Sequence, residues 1–362
     1  MNIKFSRKVT LFFSFCTIAT SYAQKALIDS LSTAFFKDST HIGLAIGIQQ
    51  QKDLHTYYYG GKYLASQTDL SDNSIFELGS VTKVYTTYIL SALEEEGLLK
   101  GSDLLVDYLP KTFKNKDVLS AITLDNLATH TSGIPITAWD DWALLQNEPT
   151  FNENNPFDLL TKEFLFTKLE QLDSLKDYGA PKYSNFGFGL LTVILESASG
   201  LNYADLVEKY VEQPLALQST FVSVPQNRLH DIALPRKNSA QVPLIALADS
   251  EGTGALKSSV MDVLKFLSAL NDPQHEKLRK IACKALRKPF DSEPLSALGL
   301  GWGLFNIGND LVYWKNGGTY GSGSIVIMCP EKQISVVLLT NSDSTDIIQS
   351  YAVAIISTLL NQ

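Results

Sequence analysis

Two β-rich runs lie near the start of this chain, at Gly43 to Gln50 and His55 to Tyr63, and three more lie near its end, at Leu311 to Trp314, Ser324 to Met328 and Ile334 to Leu339. Between them strand signals are few. The middle reads as helices joined by long loops, with helical spacing over Thr123–Thr129, Asn155–Lys168, Phe186–Ser199 and Tyr203–Val211. That order suggests one discontinuous α/β domain that takes strands from both chain ends, with the helical middle as an insertion. The expectation is a discontinuous α/β subdomain from residues 24–99 and 250–362, a helical subdomain from residues 100–249, and a cleft between them of the kind that hosts ligands.

Ser80-Val81-Thr82-Lys83 sits where the first β segment passes into a helical pattern running through Val84, Tyr88, Leu90 and Leu93 to Gly97, a natural C-cap. No other serine has a lysine three positions on. Residues three apart share a helix face, so the Lys83 amine can reach the Ser80 hydroxyl. Serine is a weak nucleophile that needs a base, and a lysine whose pKa is lowered by burial and a second cation can serve. A helix start also supplies free backbone N–H groups for a developing oxyanion. Taken alone, the tetrapeptide is a weak signal and reads more readily as an N-cap followed by a solvated lysine. The apolar, tightly turning flanks Glu77-Leu78-Gly79 and Val84-Tyr85 favour the catalytic reading.

Two further segments suit the same cleft. Tyr183 and Asn185, two apart at a helix start after Pro181, can project together: the phenol as a general acid or base, the amide toward substrate. Lys315-Asn316-Gly317-Gly318 is expected to follow the strand Leu311 to Trp314, where its glycines admit close backbone approach. There Lys315 would be the second cation, and the N–H of Gly318 would pair with that of Ser80 as an oxyanion hole. By itself this segment reads as a glycine-rich turn with an exposed lysine, and Tyr183 as a buried aromatic beside a helix cap.

The chain is 362 residues long, 45% hydrophobic and 19% charged, enough to bury a sizeable core. Lys4, Arg7 and Lys8, the apolar stretch Val9 to Ile18 and the small residues Ser21 and Ala23 read as a secretory signal peptide over residues 1–23, directing export across the inner membrane to the periplasm. Its loss removes three cations and no acid, taking the formal charge from −8 to −11. An acidic surface repels phosphate backbones, so no nucleic-acid partner is expected, and no membrane span after cleavage. The two cysteines left, Cys283 and Cys329, could pair but make no disulfide framework. The five histidines lack ligand spacing, so neither metal nor other cofactor is expected.

In order, Ser-x-x-Lys, Tyr-x-Asn and Lys-x-Gly resemble the penicillin-recognising serine hydrolases: class C β-lactamases, DD-peptidases and related esterases. The resemblance extends through Phe76-Glu77-Leu78-Gly79, Tyr108-Leu109-Pro110, the run Ile122 to Pro135 containing His130, Gly252-Thr253-Gly254 and Gly299-Leu300-Gly301-Trp302-Gly303. It implies a β-lactamase-like α/β fold, an antiparallel sheet flanked by helices with an inserted all-helical subdomain. It implies Ser80 as the acylated nucleophile, Lys83 as its base, Tyr183 as the proton shuttle, Lys315 as the cation tuning that tyrosine, Asn185 and Gly318 on the substrate, and His130 as structural. The third motif there is Lys-Thr-Gly or His-Thr-Gly, so Asn316 replaces the threonine that binds the substrate carboxylate and would make that contact at a different reach. The implied activity is a monomeric hydrolase of β-lactam rings. Its alternatives are a D-alanyl-D-alanine carboxypeptidase, an esterase, and a non-catalytic sensor.

Overall fold

The computed structural model describes residues 24–63, 69–137, 155–238, 240–288 and 298–361; the expected signal peptide lies outside them. The first part of the chain gives helix α1 (24–35), strands β1 (Gly43–Gln50), β2 (Asp53–Gly60) and β3 (Phe76–Glu77), and helices α2 (Thr82–Glu95) and α3 (Leu124–Ala128). Then come α4 (Lys162–Glu170), α5 (Asn185–Ser199), the short strands β4 (Thr220–Phe221) and β5 (Lys257–Ser258), and α6 (Val260–Asn271) and α7 (Glu276–Ala285). The chain closes with β6 (Gly303–Ile307), β7 (Asp310–Gly318), β8 (Gly323–Cys329), β9 (Ile334–Thr340) and α8 (Thr345–Leu360).

One six-stranded sheet takes strands from both chain ends in the order β2-β1-β9-β8-β7-β6, each neighbouring pair antiparallel. Its central strands are buried on both faces. Alternation therefore sends Ile325, Ile327, Val336 and Leu338 toward α1 and α8, and Val326, Met328, Val337 and Leu339 toward the larger core around α2 and α6. Double burial explains why β8 and β9 read as continuous apolar runs where a half-exposed strand would alternate. A second, three-stranded sheet, β3-β5-β4, links the segment before Ser80 to residues 220–221 and 257–258.

Several expectations need correction. Lys315 to Gly318 are not a turn after a strand: they are the last four residues of β7, paired to β8 up to Gly318 opposite Gly323. The second strand runs from Asp53 to Gly60, ending earlier than Tyr63, and β6 was not foreseen. Cys283 is exposed, Cys329 is buried, and both are free thiols. Among the described residues no helix is long and apolar enough to cross a membrane, and no group of three His, Cys, Asp or Glu gathers to hold a metal.

Candidate active site

Ser80 lies in a single 3-10 turn, Gly79–Val81, that runs directly into α2. Gly79 has φ +49°, and a Cβ there would come within 2.7–3.0 Å of the backbone of Gly318. Two constraints thus demand glycine: the left-handed backbone and the close approach of β7. Helix α2 is buried from Thr82 to Leu93, and Lys83, one turn beyond Ser80, is fully buried with it. Its Nζ donates to the carbonyl of Thr253 (2.7 Å) and lies 3.1 Å from Ser80 Oγ. Burial pushes the Lys83 ammonium well below the ordinary lysine range. A neutral amine there keeps a lone pair to accept the serine proton.

Tyr183 completes the group from the opposite side. Its hydroxyl and Ser80 Oγ share a hydrogen bond of 2.7 Å. The tyrosine precedes Ser184, the N-cap of α5, whose Oγ accepts from Gly187 N (2.8 Å) and donates to the carbonyl of Pro135 (2.6 Å). The N–H of Ser184 donates to His130 Nδ1 (3.0 Å), and the His130 ring packs on Tyr183 with centroids 4.4 Å apart. That donated bond fixes the neutral tautomer with its proton on Nε2. Burial, reinforced by Lys315 and Lys83, holds the imidazole well below its usual pKa, so His130 stays neutral between the two lysines. The run from Thr129 to Pro135 therefore acts as a clamp on the Tyr183 turn, also accepting from Lys182 N at the carbonyl of His130 (2.7 Å).

Lys315 reaches the site from β7. Its partner in the sheet is Val326, on the face toward α2, whereas Asn316 pairs with Ile325 on the α8 face. Lys315 Nζ accordingly lies 4.7 Å from the centre of the Tyr183 ring, while the Asn316 amide donates to Gln349 Oε1 on α8 (2.9 Å). Burial, with Lys83 nearby and only partly offset by Tyr183, lowers the Lys315 pKa to about 8. Strand β6 stops pairing at Gly303 opposite Trp314, leaving the edge of residues 315–318 turned toward the Ser80 turn. A Cβ at Gly317 would stand 2.8 Å from Ser80 N and 2.2 Å from the carbonyl oxygen of Leu78. Only glycine lets the two backbones, and the N–H groups of Ser80 and Gly318, come this close.

Beside these groups opens a cavity of about 110 Å³, with Ser80, Gly318 and Asn185 among its lining residues. Its walls are mainly Leu160, Leu165, Phe186, Ile245 and Leu247. The structure thus gathers Ser80, Lys83, Tyr183 and Lys315, sets Asn185 and Gly318 on the adjoining cavity, and turns Asn316 to the other face of β7.

Sequence reasoning missed two supports. One is the Thr253 carbonyl, held by neighbouring bonds from Thr86 Oγ1 to the carbonyl of Gly252 (2.6 Å) and from Leu256 N to Thr82 Oγ1 (3.1 Å). A backbone acceptor has no sequence signature beyond its glycine-rich setting. The other is Glu77, buried in β3, which accepts from Ile245 N and from the Thr319 hydroxyl, each at 2.5 Å. A buried acid three residues before Ser80 was a visible signal.

The beta-lactamase family model matches residues 28–356. Relatives include a beta-lactamase of Yersinia enterocolitica, 22% identical and covering 90% of this chain and 89% of that protein. Another is the D-alanyl-D-alanine-carboxypeptidase/endopeptidase AmpH of Escherichia coli, 24% identical over 88% of this chain and 84% of that protein. Among solved structures, a class C beta lactamase from Rhodobacter sphaeroides matches with a TM-score of 0.77 at 20% identity, over 92% of this chain and 99% of that one. A beta-lactamase/D-alanine carboxypeptidase from Pseudomonas syringae gives 0.79 at 19% identity, over 92% and 98%. At such identities the structures speak for the fold.

Proposed function

The chain belongs to the beta-lactamase family, and from that premise we propose that it is a serine hydrolase of the β-lactamase or D-alanyl-peptidase type, working through an acyl-enzyme on Ser80. The observation that carries this reading is the position of Ser80 Oγ, 3.1 Å from the amine of Lys83 and 2.7 Å from the phenol of Tyr183. Both are within proton-transfer reach. The substrate carbonyl enters with its oxygen toward the N–H groups of Ser80 and Gly318, which stabilise the negative charge of the tetrahedral intermediate. Ser80 Oγ attacks the carbonyl carbon as its proton passes to Lys83, and Tyr183 delivers a proton to the departing nitrogen or oxygen. Water then attacks the acyl-enzyme, with the same phenol as base, and the serine proton returns. Lys315 sets its amine beside the Tyr183 ring, and Asn185 orients the acyl side of the substrate.

β-Lactam rings are the leading substrate, with D-alanyl peptides as the alternative. These are the acyl donors named by the relatives. The apolar leader over residues 1–23 supports export, and we place the mature chain in the periplasm. Rapid mixing with a chromogenic cephalosporin and with a D-alanyl-D-alanine peptide tests the reading. Acyl-enzyme chemistry gives a product burst stoichiometric with enzyme, lost in Ser80→Ala. Equal turnover in that variant, or neither burst nor turnover on any acyl donor, contradicts it. Fast steady-state release after the burst marks a β-lactamase, and a stalled adduct marks a peptidase.

A further inference from the structure

The two donors assigned to the oxyanion belong to segments that their own backbones do not hold together. Among the described residues no main-chain hydrogen bond runs between 77–81 and 315–319; β3 pairs with β5, and β7 pairs with β6 and β8. The hole requires this, because an N–H spent on the neighbouring segment cannot face a substrate. Side chains must therefore set the distance between the Ser80 turn and the end of β7.

Two side-chain bonds reach across. Ser324 Oγ, on β8, donates to the carbonyl of Leu78 at 2.7 Å. Its single proton is spent there, so it anchors the turn to β8 and leaves the end of β7 to another group. Thr319, the residue after Gly318, donates its hydroxyl to Glu77 Oε2 at 2.5 Å. The Thr319 backbone is fixed in turn, its N–H donating to the carbonyl of Ser322 at 3.0 Å. This bond joins the two donor segments directly, one residue beyond Gly318 and three before Ser80.

The second carboxylate oxygen has its own task. Glu77 Oε1 accepts from Ile245 N at 2.5 Å, and Lys257, opposite Glu77 in the β3–β5 register, donates to the Ile245 carbonyl at 2.9 Å. Ile245 lines the cavity beside Ser80. Glu77 is only 1% exposed, and burial pushes its carboxyl above the ordinary carboxylate range, against the pull of Thr319, Ile245 and the Lys257 charge. An acid this deep is costly unless its oxygens are used. Here each oxygen holds a different element of the site.

We propose that Glu77 is a positioning residue of the acyl transfer: through Thr319 it fixes the spacing between the N–H groups of Ser80 and Gly318, and so sets the rate of acylation without touching the substrate. This rests on the acyl-enzyme reading above. No bond of the reaction forms or breaks at Glu77.

The test is the limiting rate of Ser80 acylation and its half-saturating concentration, measured with a chromogenic cephalosporin and a D-alanyl-D-alanine peptide, using whichever acylates the native protein. Rates are taken per active site from the burst amplitude, so unfolded protein is not counted. Thr319→Val keeps the shape and removes the donor; it should lower the limiting rate roughly tenfold, part of the roughly 10²-fold cost of a 1 Å misplacement. Half-saturation should barely move, because the lost interaction belongs to the transition state. Thr319→Ser restores a hydroxyl and should recover most of the rate. Glu77→Ala should cost at least as much as Thr319→Val, and combining the two should cost little more, since both cut one link. If Glu77→Ala does not fold, the Thr319 pair still decides. The proposal is overturned by a Thr319→Val rate within about twofold of native, well short of the roughly tenfold loss. Serine no better than valine at 319, or single losses that multiply in full in the double variant, overturn it too. Each of these leaves the acyl-enzyme reading intact; if neither donor acylates native Ser80, that reading fails and the proposal with it.

Discussion

Replacing Gly317 by alanine should disable the oxyanion hole without touching any side chain of the site. An added Cβ would lie 2.2 Å from the carbonyl oxygen of Leu78, 2.6 Å from Ser324 Oγ and 2.8 Å from Ser80 N. Ordinary carbon–oxygen contacts begin near ~3.3 Å, so strand β7 and the Ser80 turn must part by roughly 1 Å. Rotating the Ser324 side chain offers no relief, because its Oγ is itself bonded to the Leu78 carbonyl at 2.7 Å. The two oxyanion donors belong to these two segments, so the hole widens as they separate. A misplacement of about 1 Å costs roughly 10²-fold, and loss of one donor about 10²–10³ in kcat. Overpacking adds a stability loss of about 1–3 kcal/mol. The assay is steady-state kinetics on whichever acyl donor is turned over, with thermal unfolding beside it. We expect kcat to fall at least ~100-fold with little change in KM. Gly308→Ala is the control: with φ +59° and no atom within 4 Å, it carries only backbone strain far from the site. A folded Gly317→Ala enzyme with kcat within about threefold of the native value, far short of the ~100-fold loss, would refute the reasoning.

Tyr183→Phe removes the hydroxyl bonded to Ser80 and should lower kcat by at least about 10², with the burst slowed in proportion; an unchanged burst rate would strip the phenol of its role. Lys315 has a folded pKa of about 8, below the unfolded value near ~10.4. The unfolded chain therefore binds more protons between these values, and native stability should rise with pH across that window. Lys315→Met should flatten that rise and stabilise the protein at pH 7 by up to about 3 kcal/mol while lowering kcat. A melting temperature that falls on this substitution, or an unaltered pH slope, contradicts the assignment. Glu77→Ala leaves Ile245 N and the Thr319 hydroxyl without their buried acceptor and should destabilise by about 2–4 kcal/mol. Glu77→Gln can still accept one bond and donate the other, so chemical denaturation should show the smaller loss.

Much of the site was legible because its chemistry sits in side chains at fixed spacing. Ser80 and Lys83 share one turn, and Tyr183 abuts a serine cap that sequence alone reveals. Lys315 and Asn316 show where such reading stops. Placed after the strand, the segment let both side chains face one ligand; as part of β7, alternation sends them to opposite faces, and the pairing of Lys315 with Val326 decides which faces the core. The glycines signalled a close backbone approach, but which segment approaches, the Ser80 turn more than two hundred residues away, is set by the fold. Strand β9 was readable from its β-branched apolar run, whereas β6 was hidden by glycine and asparagine within its five residues. The Thr253 carbonyl lay beyond reach for a plainer reason: every residue offers the same acceptor.

The account depends on Ser80 being acylated because a buried, uncharged Lys83 takes its proton. The most direct test is acid-quenched peptide mass spectrometry on a millisecond timescale after mixing with an acyl donor, in the native protein and in Lys83→Met. The account predicts an adduct confined to the peptide containing Ser80, forming at least about 100-fold faster in the native chain. An adduct on another residue, or equal rates in the two proteins, would contradict it.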